Sequence, residues 1–125
     1  MTNFAAVVLA AGRGARMRSH IPKVLHRVCG KPMASIAADA ASDAGLDPIV
    51  FVTPPDSAPV RSAIGDGCAY VVQEQPMGTG HALLQAQEVS RECEDLLVMN
   101  GDIPLITSST LESLAEAHIL SLIHI

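Results

Sequence analysis

Four short apolar runs, each followed by a polar or glycine-containing loop, restrict most strongly how this chain can fold. The runs occupy residues 4–10, 49–53, 70–73 and 95–100, and segments with helical spacing lie between them. A continuous apolar run is typical of a strand that is buried on both faces of a sheet. Because strands that alternate with helices favour βαβ units, we expect an α/β fold with a doubly wound, mostly parallel sheet.

The helices are predicted from the spacing of apolar residues and from end signals. The predicted segments are 33–44, a short piece from about residue 56, 81–89, and a last helix from residue 108 or 109. Pro32 suits the first helical position and Gly45 suits a C-terminal cap. Ser109 and Glu112 predict a capping box for the last helix. Residues 24–28 predict a short extended piece.

The loop after the first apolar run has the residue types that bind phosphate groups. Gly12 and Gly14 allow close approach of the backbone, whose successive N–H groups can bind an anion. Arg16 and Lys23 add cations that form charge-assisted hydrogen bonds. The dinucleotide and Walker patterns are both absent, because Met17 stands where each needs a glycine. The alternative interpretation is a strand followed by an ordinary basic turn.

Two further loops at predicted strand ends carry polar residues that suit a nucleotide. Gln73 precedes a loop containing Gly78 and Thr79, and its amide has both a donor and an acceptor for a base edge. Asp102 follows the fourth run, and Mg²⁺ is typically held by one or two carboxylates plus phosphate oxygens. All three loops are expected at the carboxyl edge of the sheet, where such folds bind ligands. The alternatives are a glycine-rich turn capped by Thr79 and a simple turn aspartate.

Charge and cysteine content narrow the class of protein. The net charge is −5, and six of the eight Lys and Arg residues precede residue 32, which favours one local anionic ligand over nucleic acid. Cys29, Cys68 and Cys93 are odd in number and widely spaced, so we expect buried free thiols. The sequence has neither a membrane-span-length apolar run nor a signal-peptide pattern, so we expect a cytoplasmic location and no membrane partner.

The string Leu-Ala-Ala-Gly at 9–12, with Pro-Lys-Val-Leu at 22–25, resembles the opening signature of the sugar-phosphate nucleotidyltransferases. The resemblance extends from about residue 7 to residue 118 and includes Gly-Thr-Gly at 78–80. It implies a Rossmann-like nucleotidyltransferase fold. Within the family, the sequence is most similar to enzymes that form UDP-N-acetylglucosamine for cell wall biogenesis. That likeness implies UTP and N-acetylglucosamine 1-phosphate as substrates and Mg²⁺ as cofactor.

The resemblance also assigns roles to individual residues. The nucleotide-binding residues are expected to be Leu9, Ala10, Ala11, Gly12, Lys23, Gln73, Gly78 and Thr79. Arg16 and Lys23 are expected to be catalytic, with Arg16 on the leaving pyrophosphate and Lys23 on phosphoryl oxygens near the reacting centre. Asp102 is expected to be the Mg²⁺ ligand.

Three other positions lie near these residues in the sequence: one is a neighbour of the predicted site, and two depart from the family pattern. His81 is expected to pack near the site without touching the ligand. Pro76 stands where family members commonly carry glutamine, which puts one auxiliary base contact in question. Asn100 stands where tyrosine is common, and we draw nothing from that difference.

The resemblance covers part of the family's length. We expect residues 1–118 to be the N-terminal part of a truncated nucleotidyltransferase domain, and residues 119–125 to be an apolar tail of artificial origin. An ordinary helix or strand end is the alternative for the tail. In the family, the sugar-binding residues and an acetyltransferase domain that forms homotrimers lie further on, so we expect weak UTP binding without turnover.

Two other functions remain open at this stage. One is another nucleotide transfer, to a different sugar phosphate or to a molybdenum cofactor. The other is a non-catalytic nucleotide-binding module.

Overall fold

The computed structural model describes residues 4–12, 22–103 and 105–123, with side chains described as far as residue 120. In chain order, the elements are β1 (Phe4–Leu9), a 3-10 helix (Lys23–Leu25), β2 (Arg27–Val28), β3 (Lys31–Pro32), α1 (Met33–Asp43), β4 (Ile49–Thr53), α2 (Ala58–Ile64), β5 (Ala69–Val72), α3 (Thr79–Leu84), β6 (Asp95–Asn100) and α4 (Ser108–Ile123). Within these ranges, no helix is long and apolar enough to cross a membrane. The predicted catalytic residue Arg16 lies outside the described residues.

The four longer strands form one parallel sheet in the order β5-β4-β1-β6. β1 is central, and it pairs over its whole length with β6 from Phe4 opposite Asp95 to Leu9 opposite Asn100. β2 and β3 form a separate antiparallel hairpin. The predicted α/β fold with a mostly parallel sheet is therefore confirmed.

Side chains of β1 alternate between two apolar clusters, one on each face of the sheet. Phe4, Ala6 and Val8 join the larger cluster, to which α1, α2 and α4 contribute buried residues. Val7 joins the smaller cluster, to which α3 contributes Ala82. Because β1 is buried on both faces, its sequence shows no polar alternation.

Two predicted segments differ from the structure in type or extent. Residues 24–28 are not one extended piece, because a 3-10 turn forms first and the chain enters β2 afterwards. The backbone N–H of His26 donates to the Lys23 carbonyl and closes that turn. The helix predicted at 81–89 begins earlier, at Thr79, and ends at Leu84, where turns replace it as far as residue 92.

The helix ends confirm one prediction and correct others. Gly45, which follows the C-cap residue Ala44 at the end of α1, has a φ of +82°, as expected of a glycine at a helix C-terminus. Pro32 is the residue before α1 rather than its first residue. The capping box at Ser109 is wrong, because the Thr107 hydroxyl accepts a hydrogen bond from the Thr110 N–H at 3.3 Å. Since α4 continues past residue 118, no element boundary falls there. The artificial origin of residues 119–125 stays a prediction.

The cysteine prediction is correct in one respect and wrong in another. Cys29, Cys68 and Cys93 are all free thiols. Cys29 is exposed in the turn of the β2–β3 hairpin, and the other two are half-buried, so none is the fully buried thiol that was expected.

Candidate active site

A cleft of about 290 Å³ opens at the carboxyl edge of the parallel sheet. It is lined by Leu9, Ala11, Gly12, Lys23, Val24, Gln73, Pro76, Gly78, Thr79, Ala82, Asn100 and Asp102. The loops after β1, β5 and β6 meet here because parallel strands have their carboxyl ends at the same edge. The structure thus brings together every described residue of the predicted site except Ala10.

Backbone hydrogen bonds fix where two of the three loops begin. The Ala10 N–H donates to the Val52 carbonyl at 2.9 Å, and the Gln73 N–H donates to the Thr53 carbonyl at 2.8 Å. These bonds extend the strand pairing one residue beyond the strand ends. Ala10 is consequently buried, at 1% exposure, and lies behind the cleft rather than in its wall.

Lys23 and Asp102 form an ion pair at one end of the cleft. Val24 is buried in the larger cluster and anchors the 3-10 helix, while Asp102 follows β6 in a tight turn. The Lys23 Nζ lies 2.7 Å from the Asp102 Oδ2, and the two side chains are 42% and 28% exposed. A glycine at position 101 lets the turn that carries Asp102 lie against Val24, because a Cβ at that position would lie 2.9 Å from the Val24 Cγ1. The sequence places an ammonium and a carboxylate in contact at one end of the cleft.

Gln73 forms the opposite end and is held in a fixed position. Its side chain is buried, with 6% exposure for the residue. The amide Nε2 lies 3.3 Å from the Gly78 carbonyl oxygen and 2.9 Å from the His81 Nδ1. Gly78 has a φ of +97°, which favours glycine, and it directly precedes α3. The loop therefore folds back so that the first turn of α3 contacts the Gln73 amide.

The donor set fits a hard divalent cation that is shared with a phosphate ligand. Within residues 4–12, 22–103 and 105–123, no group of three or more His, Cys, Asp and Glu residues could enclose a metal ion. Asp102 nevertheless places one carboxylate in the cleft wall. One protein carboxylate together with phosphate oxygens is a common way of holding Mg²⁺, so the site suits a metal that arrives with a triphosphate.

Some cleft residues were not predicted from the sequence. Val24 belongs to the signature string at 22–25 but was given no role of its own, and Ala82 carried no functional signal; their inward positions depend on the 3-10 helix and on α3. Pro76 and Asn100 were noted as departures from the family pattern, and both line the cleft. His81 was expected to pack near the site, and it contacts Gln73 through a hydrogen bond.

A parallel α/β sheet with a polar cleft at its carboxyl edge defines the class of nucleotide-binding α/β domains. The family of MobA-like NTP transferase domains matches residues 6–121. The chain belongs to this family, and nucleotidyl transfer is the chemistry of its class.

Curated relatives agree with the resemblance seen in the sequence. The bifunctional protein GlmU of Syntrophomonas wolfei is 46% identical over 114 residues, which cover 90% of this chain and 25% of that protein. The GlmU protein of Caldanaerobacter subterraneus is 43% identical over 119 residues, covering 95% of this chain and 26% of that protein. The chain thus spans about a quarter of the length of the curated relatives that it matches.

Solved structures confirm the nucleotidyltransferase fold. Rv0371c from Mycobacterium tuberculosis superposes with a TM-score of 0.76 and 28% identity, covering 94% of this chain and 61% of that one. The same protein is known as a complex with manganese, with a TM-score of 0.74. A nucleotidyl transferase from Methanothermobacter thermautotrophicus has a TM-score of 0.74 and 27% identity, covering 93% of this chain and 58% of that one.

Proposed function

We propose that the cleft binds UTP with Mg²⁺, for transfer of the uridylyl group to N-acetylglucosamine 1-phosphate. The products are UDP-N-acetylglucosamine and pyrophosphate. The observation that carries the proposal is the arrangement of Lys23, Asp102 and Gln73 around one cleft at the carboxyl edge of the sheet. An ammonium and a carboxylate suit a metal triphosphate, and a buried amide suits the edge of a base. The choice of UTP is supported by the resemblance to enzymes that form UDP-N-acetylglucosamine.

The base is proposed to lie against the loop that follows β5. Gln73 has its amide anchored at the cleft wall, so it can hydrogen bond to a base without first being ordered. Gly78 has no side chain and lets a planar ring approach the backbone. Thr79 begins α3 beside it. The base end of the cleft is therefore pre-formed.

The phosphates are proposed to lie between Gly12 and Lys23. A phosphate oxygen of the sugar 1-phosphate attacks the α-phosphorus of UTP, and the bond to the α–β bridging oxygen breaks. Pyrophosphate leaves with the bonding electron pair, and no covalent enzyme intermediate is required. Lys23 stabilises the negative charge that grows on the phosphoryl oxygens, and the fold holds the reactants in line. Arg16, which lies outside the described residues, is proposed to hold the pyrophosphate.

Asp102 is proposed to hold the Mg²⁺. When bound, the ion neutralises charge on phosphate oxygens. The ion pair between Lys23 and Asp102 is partly exposed, and such pairs contribute about 0.2–1 kcal/mol. Separating the pair when a metal triphosphate arrives therefore costs little, and it frees the ammonium for a phosphate oxygen. The manganese complex of Rv0371c supports the use of a divalent cation.

The proposal also places the protein in the cytoplasm, and the resemblance implies that its full-length relatives are homotrimers.

A second candidate is transfer of another nucleotide, including a molybdenum-cofactor nucleotidylyl transfer, and it is favoured by the MobA-like description of the family. A non-catalytic nucleotide-binding module is the third. Base preference separates the first two candidates.

The test is calorimetric titration of the chain with UTP, CTP, GTP and ATP, each with and without Mg²⁺. We expect UTP to bind most tightly and its affinity to fall when Mg²⁺ is omitted. Gln73→Leu should weaken UTP binding, whereas Gly67→Ala, outside the cleft and with no atom within 4 Å of the added Cβ, should not. Tighter binding of another nucleotide would replace UTP in the proposal, and absence of nucleotide binding would overturn it.

A further inference from the structure

We propose that His81 is a positioning residue that, together with the Gly78 carbonyl, holds the Gln73 amide with its oxygen toward the nucleotide, and thereby supports the preference for uracil over cytosine. The inference rests on the proposed function and deepens it. Gln73 is the residue that contacts the base, and His81 acts through it. The evidence is a hydrogen-bond arrangement that uses both amide protons of Gln73 within the protein.

The orientation of the amide follows from the chemistry of its partners. The Gly78 carbonyl oxygen, 3.3 Å from the Gln73 Nε2, can accept a hydrogen bond and cannot donate one. The NH₂ end of the amide must therefore point toward Gly78, because a turned amide would place two carbonyl oxygens against each other. The second N–H of the same nitrogen points to the His81 Nδ1 at 2.9 Å.

This arrangement fixes the tautomer of His81. Since the Gln73 nitrogen donates to it, the Nδ1 of the neutral ring must be unprotonated and the ring proton must reside on Nε2. Gln85, one turn further along, donates from its Nε2 to the His81 backbone carbonyl at 3.0 Å. Its distance of 3.4 Å to the His81 Nε2 is long, so the shorter contact with Gln73 decides the tautomer.

The consequence is that the amide presents an acceptor to the cleft. Both N–H groups of Gln73 are used, and its Oε1 makes no hydrogen bond within the described part of the chain. Uracil has a ring N–H group that can donate a hydrogen bond to this oxygen. Cytosine carries an unprotonated ring nitrogen at the same place, which would face the oxygen lone pairs. His81 and the Gly78 carbonyl therefore favour the keto pyrimidine, because both oppose the turning of the Gln73 amide that would suit the amino pyrimidine.

Replacing His81 separates this role from simple packing. His81→Leu removes the shorter of the two contacts that hold the Gln73 amide, so that only the 3.3 Å contact with the Gly78 carbonyl then opposes its turning. His81→Asn keeps an acceptor, because its Oδ1 occupies nearly the place of Nδ1. Gln85→Leu is the matched control, since it removes the weaker contact with the ring and leaves the one to Gln73.

The experiment compares UTP and CTP affinity by calorimetry for the chain and the three variants, with urea unfolding of each as a check on folding. We expect His81→Leu to lower the UTP-to-CTP affinity ratio roughly tenfold, the size of effect expected when one buried hydrogen bond is no longer enforced. His81→Asn and Gln85→Leu should keep most of the ratio. An unchanged ratio in a folded His81→Leu variant would overturn the inference while leaving UTP binding in place.

A second measurement does not depend on nucleotide. Long-range ¹H–¹⁵N spectra of the histidine rings, assigned by loss of signals in His81→Asn, report the tautomer of His81 directly. We expect the proton on Nε2, and a proton on Nδ1 would overturn the inference. A chain that binds no nucleotide, or binds UTP without preference, overturns the proposed function and this inference together.

Discussion

Replacing Gly101 by alanine should push apart two walls of the candidate active-site cleft. A Cβ at position 101 would lie 2.9 Å from the Val24 Cγ1 and 3.3 Å from the Leu9 carbonyl oxygen. The Gly101 N–H also donates to that carbonyl at 3.0 Å, so the residue cannot move away freely. The new methyl group would therefore press on Val24, the neighbour of Lys23, from the turn that carries Asp102.

The size of the effect follows from this distance. Carbon atoms pack at about 3.5–4.0 Å, so Val24 or the backbone at residue 101 must move by roughly 0.6 Å or more. Val24 is 4% exposed and packed in the larger cluster, so it has little room to yield. Overpacking of this kind costs about 1–3 kcal/mol of stability. The same movement should lengthen the contact between Lys23 and Asp102, which lie next to the displaced residues.

Urea unfolding and calorimetric titration with Mg²⁺-UTP test this reasoning. We expect Gly101→Ala to lose about 1–3 kcal/mol in its free energy of unfolding and to bind UTP more weakly. Gly67→Ala is the control, and its stability should stay within about 0.5 kcal/mol of the parent chain because no atom lies within 4 Å of its added Cβ. If Gly101→Ala matched the parent chain in both measurements, the close approach of Val24 and Gly101 would be wrong.

Three further outcomes are expected. In any version of the protein that turns over UTP, Lys23→Ala should lower kcat more than UTP affinity, because Lys23 is proposed to stabilise charge that develops in the transition state; a raised KM with an unchanged kcat would contradict this. Asp102→Asn should weaken the Mg²⁺ dependence of UTP binding without unfolding the chain, and an identical Mg²⁺ titration would make Asp102 a turn residue. Burial raises the pKa of the Tyr70 hydroxyl above 10.0 and that of the Cys68 thiol above 9.0. The folded state therefore holds these protons more tightly, so this stabilisation is complete below the ordinary pKa values and is lost as the pH rises through the folded ones. The urea concentration at the unfolding midpoint should decrease as the pH rises above about 9, and it should decrease less steeply in Tyr70→Phe. A midpoint that stays constant up to about pH 11 would contradict this reasoning.

The strands could be predicted closely because their burial leaves a simple pattern. β4 and β6 have the bounds that were expected, and β1 differs by one residue at its end. β1 and β4 are buried on both faces, so each reads as an unbroken apolar run. The order of loops at the carboxyl edge then follows from parallel pairing, and this is why the cleft residues could be named in advance.

The details that the sequence did not predict depend on contacts between distant residues or on single turns. The two-residue strands β2 and β3 are too short to show any periodicity. The cap at Thr107 could not be distinguished from Ser108 or Ser109, because all three have a hydroxyl and the true start depends on where α4 packs. The hydrogen bond between Gln73 and His81 spans eight residues and forms because Gly78 turns the chain back.

The central claim is that Mg²⁺-UTP binds in the cleft at the carboxyl edge of the sheet. An NMR titration of the ¹⁵N-labelled chain with UTP and Mg²⁺ tests it most directly. The claim predicts that the largest shifts fall on the backbone of Gly12, Gly78 and Asp102 and on the side-chain amide of Gln73. It also predicts much smaller shifts in the β2–β3 hairpin, which contributes no residue to the cleft wall. Shifts that concentrate elsewhere in the chain, or no saturable change at all, would contradict the claim.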